Sequence, residues 1–232
     1  MTRVRSPFGG PRGSRMGYWA GSFCGAARRW MVLAGALLLA LPAQAWWSPE
    51  WSYRKQIRLD GAETPALGGA VPQVLVPIRL HAGNFPFADA SPGGADLRVV
   101  AADDRTPLNF HIEQYDAVEE LAIVWVQVPA VGGSDSAVWL YYGNPKAPDA
   151  GSPKASFDAA TVAAFHFAEG EGLPRDSTGY ANHVAQGSGQ VKAAGAVGFG
   201  LGLKPADSLR LAATPSLATP AGTGMTLSLW LR

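Results

Sequence analysis

The stretch that most constrains the fold is residues 121–144, LAIVWVQVPAVGGSDSAVWLYYGN. Two runs rich in Val, Ile, Trp and Tyr, 121–128 and 137–142, flank a loop that contains glycine, serine and aspartate, and this pattern is typical of an antiparallel hairpin. Both faces of the first run are apolar, so we expect this strand in the middle of a sandwich and expect it to end at Pro129. The sequence therefore predicts a central pair of strands that the rest of the chain covers.

The composition favours an all-β protein. The chain has 232 residues with 28 glycines and 18 prolines, and we find no long segment with helical periodicity. The formal net charge of the chain is +1, but the first 45 residues hold six arginines and no acid. The body of the chain, residues 46–232, therefore has 13 basic and 18 acidic side chains. A mildly acidic body without a basic stripe argues against nucleic acid as a partner.

Residues 1–45 have the pattern of a signal peptide. Arg28 and Arg29 precede an apolar run at 31–41, and small residues at Ala43 and Ala45 mark a cleavage site. Cleavage there would make Trp46 the new N-terminus, and the protein would be exported to the periplasm or the extracellular space. The single cysteine, Cys24, lies in this leader, so no disulfide framework is expected downstream.

The leader also allows alternatives to a cleaved Sec-type signal. An uncleaved membrane anchor is disfavoured because the eleven residues of 31–41 fall short of the roughly 20 that span a bilayer. The long basic part before this run has two interpretations. Translation could begin at Met16, or Arg28 and Arg29 could form a weak twin-arginine signal.

Further strands are predicted on both sides of the hairpin. Those before it lie at 53–59, 74–80, 96–101 and 108–115. Pro77 marks the second of them as an edge or bulged strand. Residues 84–88 are predicted to cross between strands, with Phe85 and Phe87 filling the core.

Three groups of residues could carry a ligand. Trp46, Trp47 and Trp51 could stack on sugar rings, although closing the end of the core is the favoured interpretation. The adjacent acids at 103–104 could bind calcium, but they are more typical of a turn. The pair at 111 and 113, His-x-Glu, could contribute to a zinc site, but without a third ligand at motif spacing we favour a satisfied surface pair.

Five motifs occur in one order along residues 47–148. They are WSYRK at 51–55, GADLR at 94–98, HIE at 111–113, VWVQVP at 124–129 and LYYGNP at 140–145. In this order they resemble the bacterial family called domain of unknown function 2341. The resemblance implies a secreted or periplasmic antiparallel β-sandwich over residues 46–148, with no agreed catalytic residues.

A second pattern follows a short linker, which we place at residues 149–156. This pattern contains FHF at 165–167, EGEG at 169–172, DSTG at 176–179, a glycine-rich run at 195–203 and SLW at 228–230. In this order residues 157–232 resemble the opening of a laminin G-like, concanavalin A-type jelly roll. The strands predicted for it lie at 163–167, 195–203, 208–211 and 225–231. A jelly roll needs more strands than these, so we expect 157–232 to be its N-terminal part.

The two resemblances predict an exported, non-catalytic binding or structural module, with a carbohydrate or another envelope protein as its partner. One alternative is the periplasmic head of a MotA/TolQ/ExbB-type proton-channel protein, tethered to the inner membrane by a region after residue 232. A second alternative is a glycosidase-related enzyme, which needs two carboxylates roughly 5–9.5 Å apart. Glu169 and Glu171 are the candidates for that pair, but they lie in a glycine-rich turn.

The sequence predicts no catalytic residue, no cofactor and no metal ligand in this chain, and it does not identify a ligand-binding residue. The jelly-roll resemblance implies calcium only for loops that would follow residue 232. We expect no membrane span after the leader, because no later run is long and apolar enough.

Overall fold

Runs rich in branched and aromatic residues form ten strands in the computed structural model, which describes residues 46–61, 69–132, 136–195 and 197–231. The strands are β1 (Tyr53–Arg58), β2 (Val71–His81), β3 (Arg98–Ala101), β4 (Phe110–Asp116), β5 (Leu121–Val131), β6 (Ala137–Tyr142), β7 (Val184–Gly187), β8 (Gln190–Ala194), β9 (Phe199–Gly202) and β10 (Leu209–Leu211). A short helix, α1, spans Pro153–Ser156, and 3-10 turns lie at Phe87–Asp89, Pro92–Gly94 and Pro215–Leu217. The predicted all-β fold is confirmed.

Two three-stranded antiparallel sheets make a sandwich, in the orders β1-β6-β3 and β2-β5-β4. One apolar core lies between them, as predicted for this part of the chain. Its most buried members are Leu80, Phe85, Phe87, Leu97, Val99, Phe110, Ala122, Val124, Val126, Val128, Val138 and Leu140. Phe85 and Phe87 enter the core from the crossover between β2 and β3, as the sequence predicted.

The predicted hairpin pairing of β5 with β6 is wrong. β5 pairs with β2 and β4, whereas β6 pairs with β1 and β3 in the opposite sheet. Each strand is central in its own sheet, which agrees with their apolar character on both faces. The connection after Val131 therefore crosses from one sheet to the other.

The ends of two strands also differ from the prediction. β5 does not end at Pro129, because Ala130 and Val131 still pair with Pro72 and Val71 of β2. β2 is correspondingly longer than predicted. It lies at the edge of its sheet, as Pro77 indicated.

After the sandwich, two small sheets pair β7 with β10 and β8 with β9. The predicted strands at 163–167 and 225–231 are wrong. Ala164 instead donates its N–H to the Asp176 carboxylate and accepts from Ser177 N–H, so its backbone bonds to a loop. Residues 225–231 pair with no strand in the described part of the chain. The jelly-roll resemblance stays a prediction.

The junction between the two predicted modules contacts the sandwich. Ser152 N–H donates to Phe110 C=O at 2.8 Å, Ser156 is buried, and the Phe157 ring lies 5.2 Å from the His111 ring. From Trp46 onward the chain forms one compact unit. The domain boundary at 149–156 stays a prediction.

The predicted signal peptide, residues 1–45, lies outside the described residues. Within the described ranges, no helix has the length and apolar character needed to cross a membrane.

Candidate functional site

A buried cluster lies on the outer face of β4 and β5, the face turned away from the core. We call His111, Glu113, Trp125 and His166 the His-Glu cluster. The Nε2 atoms of His111 and His166 are 3.0 Å apart, and His166 Nδ1 lies 3.3 Å from Glu113 Oε2. Trp125 Nε1–H donates to the same Glu113 oxygen at 2.5 Å. Downstream residue His166 is thereby bonded to the sandwich.

A β-bulge in β4 places Glu113 in this cluster. Ile112 pairs with Val124 and Gln114 pairs with Ile123, so Glu113 is the extra residue and has no partner in the register. A second segment covers its carboxylate, because Gly198 approaches so closely that a Cβ built there would overlap Glu113 Oε1. Only glycine at this position allows such a close approach.

The bonds in the cluster indicate its proton positions. With Glu113 ionised, His166 carries its proton on Nδ1, and its Nε2 accepts from His111 Nε2–H. Burial chiefly, and then the neighbouring His166, lower the pKa of His111 to about 4. Burial alone would raise the pKa of Glu113, but hydrogen bonds from His166 and Trp125 outweigh it and the pKa is lowered. The cluster is therefore arranged around a neutral His111 and an anionic Glu113.

The prediction of a satisfied surface pair at His111 and Glu113 is wrong. The side chain of Glu113 is 3% exposed and His111 is 1% exposed, and His111 Nδ1 is buried with no partner in the described part of the chain. Among the described residues, no group of three or more His, Cys, Asp or Glu is placed to hold a metal ion. The sequence did not identify His166, whose signal is a histidine between two phenylalanines, FHF at 165–167.

The tryptophans at the start of the body do not close the end of the core, which was the favoured interpretation. Trp51 belongs to a second cluster with Val100 and Tyr141, on the face of the β1-β6-β3 sheet turned away from that core. Trp51 is buried, and its Nε1–H donates to Asp96 C=O at 2.7 Å. Trp47 packs between the rings of Trp51 and Tyr141, at 5.1 and 5.7 Å. Trp46 is 38% exposed, so part of one indole faces solvent.

Arg54 links these rings to the turn at 103–104. Its guanidinium lies 5.2 Å from the Trp46 ring and 4.4 Å from the Trp139 ring, and it forms an ion pair with Asp104. Tyr141 OH donates to Asp104 at 2.5 Å. Burial and this bond raise the pKa of Tyr141.

The turn predicted at 103–104 is present. Asp103 accepts N–H bonds from Arg105 and Thr106, each at 3.0 Å. The ion pair of Asp104 with Arg54 was not predicted, because the two residues are 50 positions apart.

The polar loop at 176–182 is also bonded internally. The Asp176 carboxylate accepts from the backbone N–H groups of Ala164, Thr178 and Asn182. Of the proposed glycosidase pair, Glu169 accepts Arg175 N–H at 2.7 Å and Glu171 is exposed.

A cleft of about 590 Å³ opens between the edge strands of the two sheets, β1 and β2. Its apolar walls come from both strands and from Leu59, which directly follows β1. They include Ile57, Leu59, Val74, Val76, Ile78 and Leu80. Three cationic residues, Lys55, Arg58 and Arg79, and one acid, Asp60, also line it.

Lys55 has an unusual place in this cleft. In the register it stands opposite the buried Leu140, so its side chain starts on the core side of the sheet. Its Nζ donates to Asn84 C=O. The sequence signal was a lysine on the otherwise apolar face of β1, between Tyr53 and Ile57, and the prediction did not use it.

The comparisons with known proteins agree with the first resemblance. The family model described as Domain of unknown function (DUF2341) matches residues 93–178. The match begins before β3 and continues past the predicted linker to Thr178, so it contains His111, Glu113 and His166. No curated protein and no solved structure matches the chain.

Proposed function

We propose that this chain is an exported, non-catalytic binding module whose ligand occupies the cleft between β1 and β2. The observation that carries the proposal is the cleft itself, which combines apolar walls with a few polar groups. Small-molecule sites are typically clefts of roughly 300–1,000 Å³ with this mixture, and the cleft of about 590 Å³ falls in that range. In the His-Glu cluster and the loop at 176–182, in contrast, hydrogen bonds to other protein groups engage the polar side chains Glu113, His166, Asp176 and Asn182.

The export part of the proposal rests on the signal pattern of residues 1–45. The match of residues 93–178 to a family model of unknown function supports the first resemblance without assigning a ligand. The ligand class must therefore come from the chemistry of the cleft.

A neutral dye that fluoresces in apolar surroundings, Nile red, tests the binding site on residues 46–232. We expect the dye to bind, and we expect Val74→Phe to weaken binding by filling the cleft, since Val74 is half-buried on its wall. The same change at Val118, which is 90% exposed, is the matched control and should leave the affinity unchanged. Equal dye affinity in the wild type and in Val74→Phe contradicts the proposal.

Carbohydrate binding is a second candidate, favoured by the exposed part of Trp46 beside the Arg54 guanidinium. An indole face next to a hydrogen-bond donor suits a sugar ring. Titration with soluble cell-wall oligosaccharides should quench tryptophan fluorescence in the wild type but not in Trp46→Ala. An unchanged response in Trp46→Ala excludes this face.

A further inference from the structure

We infer that the cleft between β1 and β2 selects a single-chain amphiphile with an anionic head group, of the fatty acid class. This inference rests on the proposed function and specifies its ligand. The apolar walls of the cleft match the alkyl chain of such a ligand. Ile57 and Val74 line the cleft from the edge strands of different sheets, and both pack against the core while remaining half-buried. An alkyl chain would bury this remaining apolar surface and remove its own methylenes from water, which favours binding.

The charged residues of the cleft match the anionic head group of such a ligand. Lys55, Arg58 and Arg79 line the cleft together with one acid, Asp60, so the lining carries an excess of positive charge. None of the three cations forms an ion pair with another described residue. An anionic head group complements this lining, whereas a cationic one would be repelled.

Lys55 is the residue placed to bind the head group. Its ammonium has three N–H donors, and one of them forms a hydrogen bond to the neutral carbonyl of Asn84. The remaining donors can reach a carboxylate at the same end of the cleft. Its position opposite Leu140 places this charge beside the apolar walls, and that is the arrangement an amphiphile requires.

An added β-strand fits the same cleft less well. Strand addition needs an edge with free backbone donors, but β2 carries Pro72 and Pro77, which have none. An inward lysine on an edge strand, such as Lys55 on β1, also opposes pairing with another chain. The ligand is therefore better matched by an alkyl chain than by a peptide.

Calorimetric titration of residues 46–232 with lauric acid and with lauryl alcohol tests the inference. We expect lauric acid to bind at least about tenfold more tightly, since a hydrogen bond to a charged group is worth roughly 1.5–3 kcal/mol. Lys55→Met should remove most of this difference, because it should weaken the binding of lauric acid and leave the binding of lauryl alcohol unchanged. Lys154→Met, a change at an exposed lysine of α1, is the matched control and should preserve the difference.

Equal affinities of the wild type for the acid and the alcohol overturn the inference and leave the proposed function in place. This comparison needs no variant, so it holds even if Lys55→Met does not fold. Binding to anionic phospholipid vesicles without binding of lauric acid also overturns the inference, because a membrane surface would then be the partner. If neither Nile red nor lauric acid binds, the proposed function fails as well.

Discussion

The side chains of His111 and His166 meet through their Nε2 atoms, 3.0 Å apart, although the two residues are separated by 55 positions. One histidine lies in the sandwich and the other in the segment after the predicted linker. Glu113 and Trp125 complete the contact on the sandwich side. The arrangement favours a neutral His111, because a charged His111 would need an acceptor for its Nδ1–H and the described residues supply none.

The protein should therefore lose stability in mild acid. The pKa of His111 is about 4 in the folded state against 6.5 in the unfolded state, so the unfolded state binds the extra proton between these values. The stability contributed by neutral His111 is complete above pH 6.5 and is lost as the pH falls toward about 4. The loss is about 3 kcal/mol, and the lowered pKa of Glu113 adds to it in more acidic solution.

Urea denaturation across this pH window measures the effect. His111→Gln should flatten the dependence of the unfolding free energy on pH, because the titrating group is gone. His81→Gln is the control, since His81 lies at the end of β2 outside the cluster. A dependence that stays as steep in His111→Gln as in His81→Gln refutes the assignment.

Gly198→Ala should weaken the contact of the downstream segment with Glu113. Gly198 has a φ of +62°, and a Cβ there would overlap Glu113 Oε1. The strained backbone and the displaced carboxylate should together lower the free energy of unfolding by about 1–3 kcal/mol. Gly170→Ala, at a position with open space, should cost far less. Melting curves compare the two, and equal losses would mean that Gly198 does not contact Glu113.

The bond between Trp125 and Glu113 should appear as an energetic coupling. Trp125→Phe removes the Nε1–H donor and Glu113→Gln removes the charge of the acceptor. A hydrogen bond to a charged group contributes roughly 1.5–3 kcal/mol, so a double-mutant cycle should give a coupling of about that size. Additive losses would show that the two side chains do not interact.

Asp96 should be among the least replaceable polar residues. It is fully buried, and its carboxylate accepts from the N–H groups of Ser91, Gly143 and Asn144. In Asp96→Asn an amide NH₂ must face a backbone donor, which should cost about 1–3 kcal/mol. Asp158→Asn, at an exposed turn, should change the unfolding free energy by less than about 0.5 kcal/mol. Similar losses for the two variants would contradict this role.

Local patterns predicted the strands of the first module well but not their neighbours. The first-module strands follow from alternation of apolar residues, and β6 matches its predicted range of 137–142. Alternation cannot show which strand lies beside another, so β5 and β6 were paired with each other although they lie in different sheets. The predicted strand at 225–231 has the right alternation, yet nothing in the described chain pairs with it.

The candidate sites were harder to predict because their parts are distant in sequence. Lys55 is in β1, Val74 is in β2, and only the folded sandwich brings them to one cleft. His166 and Asp104 likewise acquire their partners through tertiary contacts. The predicted turn at Asp103 succeeded because its hydrogen bonds are local.

The packing at the start of the body bears on the order of maturation. Trp47 N–H donates to Tyr141 OH at 3.0 Å, and the Trp46 ring lies 6.0 Å from the ring of the same tyrosine. These contacts start at the residue that would follow the predicted cut after Ala45. A signal peptidase needs an extended chain at its cut site. Removal of the predicted leader would therefore have to come before Trp46 and Trp47 pack against Tyr141. Under the proposed export, cleavage of the leader and the packing of these indoles on Tyr141 would then be successive steps.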